Sequence, residues 1–270
     1  MTFGERLAAA VAERGPVCVG IDPHAHLLEA WGLPDTAAGA EAFGLELVAA
    51  AAGRVAVVKP QVAFYERHGA AGIVALERVL EAARDAGLLT IADAKRGDLG
   101  STMQAYAEAW LTPGAPLEAD AITASTYLGL GALEPALRLA HEHGKGVLVL
   151  CATSNPEGVD VQARTDAAGE SVAAAIARGA ADWNAAHAPG AIGTVGLVVG
   201  ATIDAAALGL ALERSTPILA PGFGHQGARL GDLARLYPAD ALVLASVSRS
   251  VSADRDGIVA AIDAAVEEAR

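Results

Sequence analysis

The chain has 270 residues, 53% of them hydrophobic and only 4% aromatic, and a formal net charge of -13. That length suits one large domain with a substantial core of Ala, Val, Leu and Ile. The acidic balance argues against a nucleic-acid partner, which needs a basic surface, so an anionic ligand would require a local positive site.

The N-terminus, Met1-Thr2-Phe3-Gly4-Glu5-Arg6, opens an amphipathic helix rather than a signal peptide. Short apolar runs with strand character then recur along the chain: 17–22, 55–59, 88–93, 119–123, 147–151, 196–199, 217–220 and 241–245. Segments of helical periodicity separate them, as in 72–80, where apolar positions recur three and four apart. Gly87 and Gly144 read as helix C-caps before the next strand. Continuous apolar strands alternating with helices indicate a parallel sheet. Eight such units match a single closed (β/α)8 barrel spanning 1–270. An open doubly wound sheet is the alternative. The longest excursion, 154–190, contains a helix from Val172 to Trp183 and is either an active-site lid or a decorated surface loop.

Cys18 and Cys151 lie in apolar runs and read as inert core thiols, with no CxxC or zinc spacing. No uncharged apolar run is long enough for a transmembrane helix. A reducing cytoplasm is the expected location, with no membrane or nucleic-acid partner.

In an α/β barrel the functional groups gather at the C-terminal ends of the strands. Here the first strand ends in Asp22, the second in Lys59, and the third runs into Asp93-Ala94-Lys95-Arg96-Gly97-Asp98. Lysine usage sharpens the reading, because Lys59, Lys95 and Lys145 are the only three lysines and the remaining cations are arginine. An ammonium can be tuned by its neighbours and can donate a proton, whereas a guanidinium cannot. Lys145, before the fifth strand, falls on the opposite face and reads as a stability or solubility residue. Residues two apart on a strand point the same way, so Asp93 and Lys95 share the barrel mouth. Asp98 lies past the strand end and need not join them within one subunit. A salt-bridge cluster closing the barrel is the bland alternative, but Asp22 and Lys59 on adjacent strands favour a functional array.

A second constellation follows the seventh and eighth strands: Gly222-Phe223-Gly224-His225-Gln226-Gly227, and Ser246-Val247-Ser248-Arg249. Loops at this place recurrently bind phosphate in the barrel fold. Glycines admit backbone N–H groups to an anion and Arg249 adds a forked cation. As a dinucleotide fingerprint the GxGxxG is weak, since it follows the seventh strand. His24 and His26 read as a solvated or substrate-lining loop, and His141 and His143 as surface residues.

The 93–98 segment, with Thr102 four residues beyond Asp98 and Gly20-Ile21-Asp22-Pro23-His24 earlier, resembles the DxKxxD pattern of the orotidine 5′-monophosphate decarboxylase family, in its longer bacterial branch. The resemblance implies decarboxylation of orotidine 5′-monophosphate to uridine 5′-monophosphate in de novo pyrimidine biosynthesis, without metal or cofactor. It implies that Lys59, Asp93 and Lys95 form a charged array completed by Asp98 from the partner of a homodimer. It further implies that Asp22 and the partner's Thr102 serve the ribose, Ser154 the pyrimidine, and Gln226 and Arg249 the phosphate. Lys95 would stabilise and then protonate the C6 carbanion. The alternatives are a magnesium-dependent sugar-phosphate decarboxylase or aldolase sharing DxKxxD, and a catalytically silent nucleotide-binding barrel.

Overall fold

The apolar runs pair in chain order as parallel strands: β1 (Val17–Ile21), β2 (Val57–Pro60), β3 (Leu89–Arg96), β4 (Ala121–Ala124), β5 (Gly146–Ala152), β6 (Val195–Val199), β7 (Ile218–Pro221) and β8 (Val243–Val247). In this computed structural model, which describes residues 1–224 and 227–270, β8 also pairs with β1 and closes the barrel. The open sheet is therefore excluded.

Burial on both faces explains why the strands read as continuous apolar runs. Their side chains divide between two cores with a period of two. Cys18, Val57, Leu148 and Leu244 point inward, into a core with Ile91, Ala121 and Leu219. Val17, Val19, Val58, Val147, Val149, Val243 and Ala245 point outward against the helices. The inner core is plugged from the N-terminal end of the strands by Phe3 and Leu7 of the Phe3–Arg14 helix. That helix starts with a reciprocal cap. The Thr2 hydroxyl accepts from the Glu5 N–H at 3.1 Å, and the Glu5 carboxylate accepts from the Thr2 N–H at 2.8 Å.

Strand ends differ from the sequence reading by a few residues, most at β3, which runs on to Arg96. Its pairing with β4 shifts register between Ala92 and Arg96, and such irregularity leaves no signature in apolar periodicity. Gly87 ends the Gly69–Asp85 helix in the left-handed region (φ 69°), with the Leu88 N–H returning to the Ala83 carbonyl at 3.0 Å. The excursion after β5 holds a 3-10 turn (Pro156–Gly158), a short helix (Val159–Gln162) and the long Val172–His187 helix. Among the described residues no helix is long and apolar enough to cross a membrane.

Lys145 stands at the end of the barrel opposite the mouth, but it is buried rather than solvating. Its Nζ donates to Glu118 at 2.7 Å and lies 3.7 Å from Asp120, which also pairs with Arg6 at 2.9 Å. Asp120 in turn accepts from the Thr90 N–H at 2.9 Å. The cluster ties the N-terminal helix to β3 and to the starts of β4 and β5, so Lys145 is a stability residue. His141 corrects the surface reading. Its ring packs edge-on to Trp183 of the Val172–His187 helix, with centroids 5.7 Å apart.

Removing one member of a buried ion pair strands the others in a poorly solvated site, which costs about 3–5 kcal/mol at full burial. Glu118 is partly solvated and Arg6 still serves Asp120. Lys145→Met should therefore cost about 2–3 kcal/mol in a urea unfolding titration while leaving ligand binding at the distant mouth intact.

Candidate active site

The C-terminal ends of the strands surround a cavity of about 520 Å³. One wall is charged and polar, from Asp22, His24, Lys59, Gln61, Asp93 and Lys95; the opposite wall is apolar, from Leu150, Val198, Leu219, Pro221 and Phe223. A pocket with convergent polar groups on an otherwise apolar lining is the usual form of a small-molecule site.

Asp93 is the centre of the polar wall. Its Oδ2 accepts from Lys59 Nζ at 3.0 Å and Gln61 Nε2 at 2.8 Å. Its Oδ1 accepts from Lys95 Nζ at 2.6 Å and Thr123 Oγ1 at 2.8 Å. Burial by itself would raise its pKa, but the ammonium groups of Lys59 and Lys95 and these hydrogen bonds outweigh it, holding the carboxyl well below its usual range. Lys59, 6% exposed, feels the mirror effect: burial would lower its pKa, yet Asp93 and Asp22 raise it above the ordinary lysine value. Both groups are thus held charged. Lys95 differs in exposure. Its side chain is 46% accessible, so its ammonium can meet a ligand while paired to Asp93.

Around this array the strand ends place further groups. Asp22 follows β1, and its Oδ1 is buried without a hydrogen-bond partner among the described residues. The same holds for the Ser248 hydroxyl beyond β8. Both residues line the cavity. Arg249, Ser248, Gly222 and Phe223 line one end of the cavity, and Ser154, Thr153 and Asn155 line another part beyond β5. The Thr153 N–H donates to Gln162 Oε1 at 2.9 Å, and Gln162 Nε2 donates to the Thr153 hydroxyl at 2.8 Å, so the base of the 154–190 excursion belongs to the cavity rim. His24 also lines it, with its ring edge-on to Phe64 at 4.2 Å. Burial lowers its pKa against the opposing effect of Asp22, favouring the neutral ring.

Of the expected site residues, Asp22, Lys59, Asp93, Lys95, Ser154 and Arg249 come together on this cavity. Asp98 and Thr102 do not line it. Asp98 accepts from the Leu99 N–H at 2.7 Å in the turn before the Gly100–Leu111 helix, and Thr102 is exposed on that helix's first turn. Gln226, with His225, lies outside the described residues. The GxGxxG segment follows the seventh strand of a closed barrel and leads into a 3-10 turn (Leu230–Asp232), which removes the dinucleotide reading. Gln61 and Thr123 are ligands of Asp93 that the sequence reading does not single out. Their signal is the strand period alone: Gln61 stands two residues after Lys59, and Thr123 near the end of β4. Burial pushes the Cys18 and Cys151 thiols up to about 12, so neither is a thiolate nucleophile. Among the described residues no three or more His, Cys, Asp or Glu side chains are grouped so as to hold a metal ion.

Fold and site together define a (β/α)8-barrel protein with a lysine–aspartate–lysine array in its mouth. A family model described as Orotidine 5′-phosphate decarboxylase / HUMPS family matches residues 15–264. A Nocardioides sp. protein named orotidine 5′-phosphate decarboxylase is 53% identical over 252 residues, covering 92% of this chain and 91% of that protein. Its namesake from Streptomyces coelicolor is 51% identical over 251 residues, 92% of this chain and 89% of the relative. The crystal structure of a Streptomyces avermitilis protein assigned the same activity superposes with a TM-score of 0.93 at 48% identity, covering 100% of this chain and 95% of that one. The chain belongs to the orotidine 5′-phosphate decarboxylase / HUMPS family.

Because the Asp93 pKa is depressed, its contribution to stability is complete above the unfolded-state value near 3.8 and is lost as pH falls below that value toward the folded one. Asp93→Asn should unfold more readily at pH 7, by about 3 kcal/mol, since Lys59 then stays buried without its counter-ion. The gap between the two proteins should narrow as the pH of a denaturant titration is taken below about 4.

Proposed function

We propose that this chain decarboxylates orotidine 5′-monophosphate to uridine 5′-monophosphate, within de novo pyrimidine biosynthesis, and that 1–270 forms one catalytic domain acting as a cytoplasmic homodimer. The observation that carries the reading is the hydrogen-bonded Lys59–Asp93–Lys95 array at the mouth of a barrel of this family.

The chemistry follows from that array. When the bond from C6 to the carboxylate breaks, CO2 departs and the electron pair stays on C6. The Lys95 ammonium lies where it stabilises that pair electrostatically and then gives C6 a proton, leaving a neutral amine that is reprotonated from solvent. Asp93 holds the Lys95 side chain in place through the 2.6 Å contact until the transfer, and its own charge disfavours a substrate carboxylate beside it. Lys59 is too deeply buried to serve as the donor; it holds Asp93 ionised. The apolar wall of Leu150, Val198 and Leu219 keeps water from a carbanion that would otherwise take its proton unselectively.

The remaining groups hold the nucleotide. The Asp22 carboxylate, on the cavity wall, suits a ribose hydroxyl. Ser154 serves the pyrimidine, and Arg249 with Gln226 the phosphate, whose binding energy, remote from C6, is available to order the 154–190 excursion over the site. Asp98 and Thr102, off the cavity of their own subunit, act in the partner's site. This scheme requires neither metal nor organic cofactor. The same family description also covers another class, so the discriminating reagent is a chelator.

Purified protein in excess EDTA should convert orotidine 5′-monophosphate to uridine 5′-monophosphate, and Lys95→Ala should lower turnover by at least about 10³-fold. No conversion by folded wild-type protein would overturn the assignment in favour of a magnesium-dependent sugar-phosphate reaction. A second test addresses the shared site. Lys95→Ala and Asp98→Ala homodimers, each inactive, should regain about a quarter of wild-type activity when dissociated and mixed, since half the dimers then carry one intact site. Absence of recovery by verified mixed dimers would place Asp98 outside the partner's site.

A further inference from the structure

Lys95 is the sole non-glycine residue with positive φ among the described residues, at 48°. A side chain with a Cβ is disfavoured there, and such conformations persist only where the surroundings enforce them. The position coincides with the register shift between β3 and β4. In a regular parallel ladder the Lys95 N–H would meet a carbonyl of the neighbouring strand. Here it donates instead to the Thr123 hydroxyl at 3.0 Å.

That hydroxyl is used twice. Having accepted from Lys95, it donates its own hydrogen to Asp93 Oδ1 at 2.8 Å, the same oxygen that receives Lys95 Nζ at 2.6 Å. Three hydrogen bonds thus close a circuit from the Lys95 backbone through Thr123 and Asp93 back to the Lys95 ammonium. Thr123 is 1% exposed, so water cannot readily stand in for its hydroxyl. As a β-branched residue on β4 it is also restricted at χ1.

We infer that Thr123 is a positioning residue for the reaction: its one hydroxyl holds Lys95 in the left-handed conformation and orients the Asp93 carboxylate toward it. The inference rests on the proposed roles of Lys95 and Asp93. Thr123 touches no reacting atom in this scheme. It sets where the proton donor stands.

Thr123→Val preserves shape and removes the hydroxyl, leaving the Lys95 N–H without the acceptor it has here. We expect kcat to fall roughly 10- to 100-fold, with KM for orotidine 5′-monophosphate and the affinity for uridine 5′-monophosphate little changed. Thr123→Ser, which restores the hydroxyl, should recover most of the turnover. A Val variant with wild-type kcat overturns the inference, as does a Ser variant as slow as the Val one. A purely packing role would instead lower product affinity and melting temperature together with kcat. A crystal structure of Thr123→Val decides independently of turnover. Lys95 should leave positive φ or the Asp93 carboxylate should rotate, and an unaltered Lys95 and Asp93 overturn the inference. If wild-type protein fails to turn over orotidine 5′-monophosphate, the functional reading falls while this crystallographic comparison still decides what Thr123 holds.

Discussion

The structure of the mouth depends on keeping one buried carboxylate ionised. Asp93 is removed from water, which by itself would favour the protonated acid. Two ammonium groups, an amide and a hydroxyl reverse that preference, and each comes from a definite place: Lys59 and Gln61 from β2 and the residue just beyond it, Lys95 from the same strand, Thr123 from the next. Oxygen sharing is even, with two donors on each. A carboxylate so held cannot rotate without breaking two bonds, so the charge pattern facing the cavity is set before any ligand arrives. Such preorganisation is the main way a protein site improves on water as a solvent for developing charge.

The barrel supplies the convergence that this interaction needs. Strands that run in parallel deliver all their final residues to one rim, so groups more than thirty residues apart in sequence, such as Lys59 and Asp93, become neighbours. The opposite rim does different work. There Phe3 and Leu7 fill the inner core, and Arg6, Asp120 and Lys145 join the N-terminal helix to the strand starts. Stability and chemistry are thus assigned to opposite ends, as is general for this architecture. An acidic chain also benefits from the division. With a net charge of -13 overall, its cavity still sets Lys59, Lys95 and Arg249 against Asp22 and Asp93, so the charged lining is balanced slightly toward the positive where an anionic ligand would enter.

Much of this was legible before the structure. Eight apolar runs gave the strand count and matched a closed barrel, but it is the pairing of β8 with β1 that excludes the open sheet. Asp22, Lys59, Asp93 and Lys95 stood out because they are charges at the ends of apolar strands and because lysine is scarce. Gln61 and Thr123 did not, since neither residue type is rare or charged, and their importance arises only when β2, β3 and β4 are adjacent. The left-handed backbone at Lys95 was equally hidden: it coincides with a register shift between strands, and neither Lys nor its neighbours announce it as a glycine would. Lys145 was placed correctly but its burial was not foreseen, because Glu118 and Asp120 reach it from the approach to a different strand. Asp98 and Thr102 do not line the cavity of their own chain, in keeping with the place of Asp98 past the strand end.

The distribution of lysine has a practical meaning for chemical modification. Lys59 and Lys145 are both enclosed in ion pairs and barely reach solvent, whereas the Lys95 side chain is 46% accessible. Surface cations elsewhere are arginines, which do not react with acylating agents under mild conditions. Lys95 is therefore the one accessible ε-amine among the described residues, apart from the chain's α-amine. An amine-directed label would find its one accessible ε-amine at the mouth of the barrel, where the 2.6 Å contact with Asp93 must be given up before the nitrogen can react.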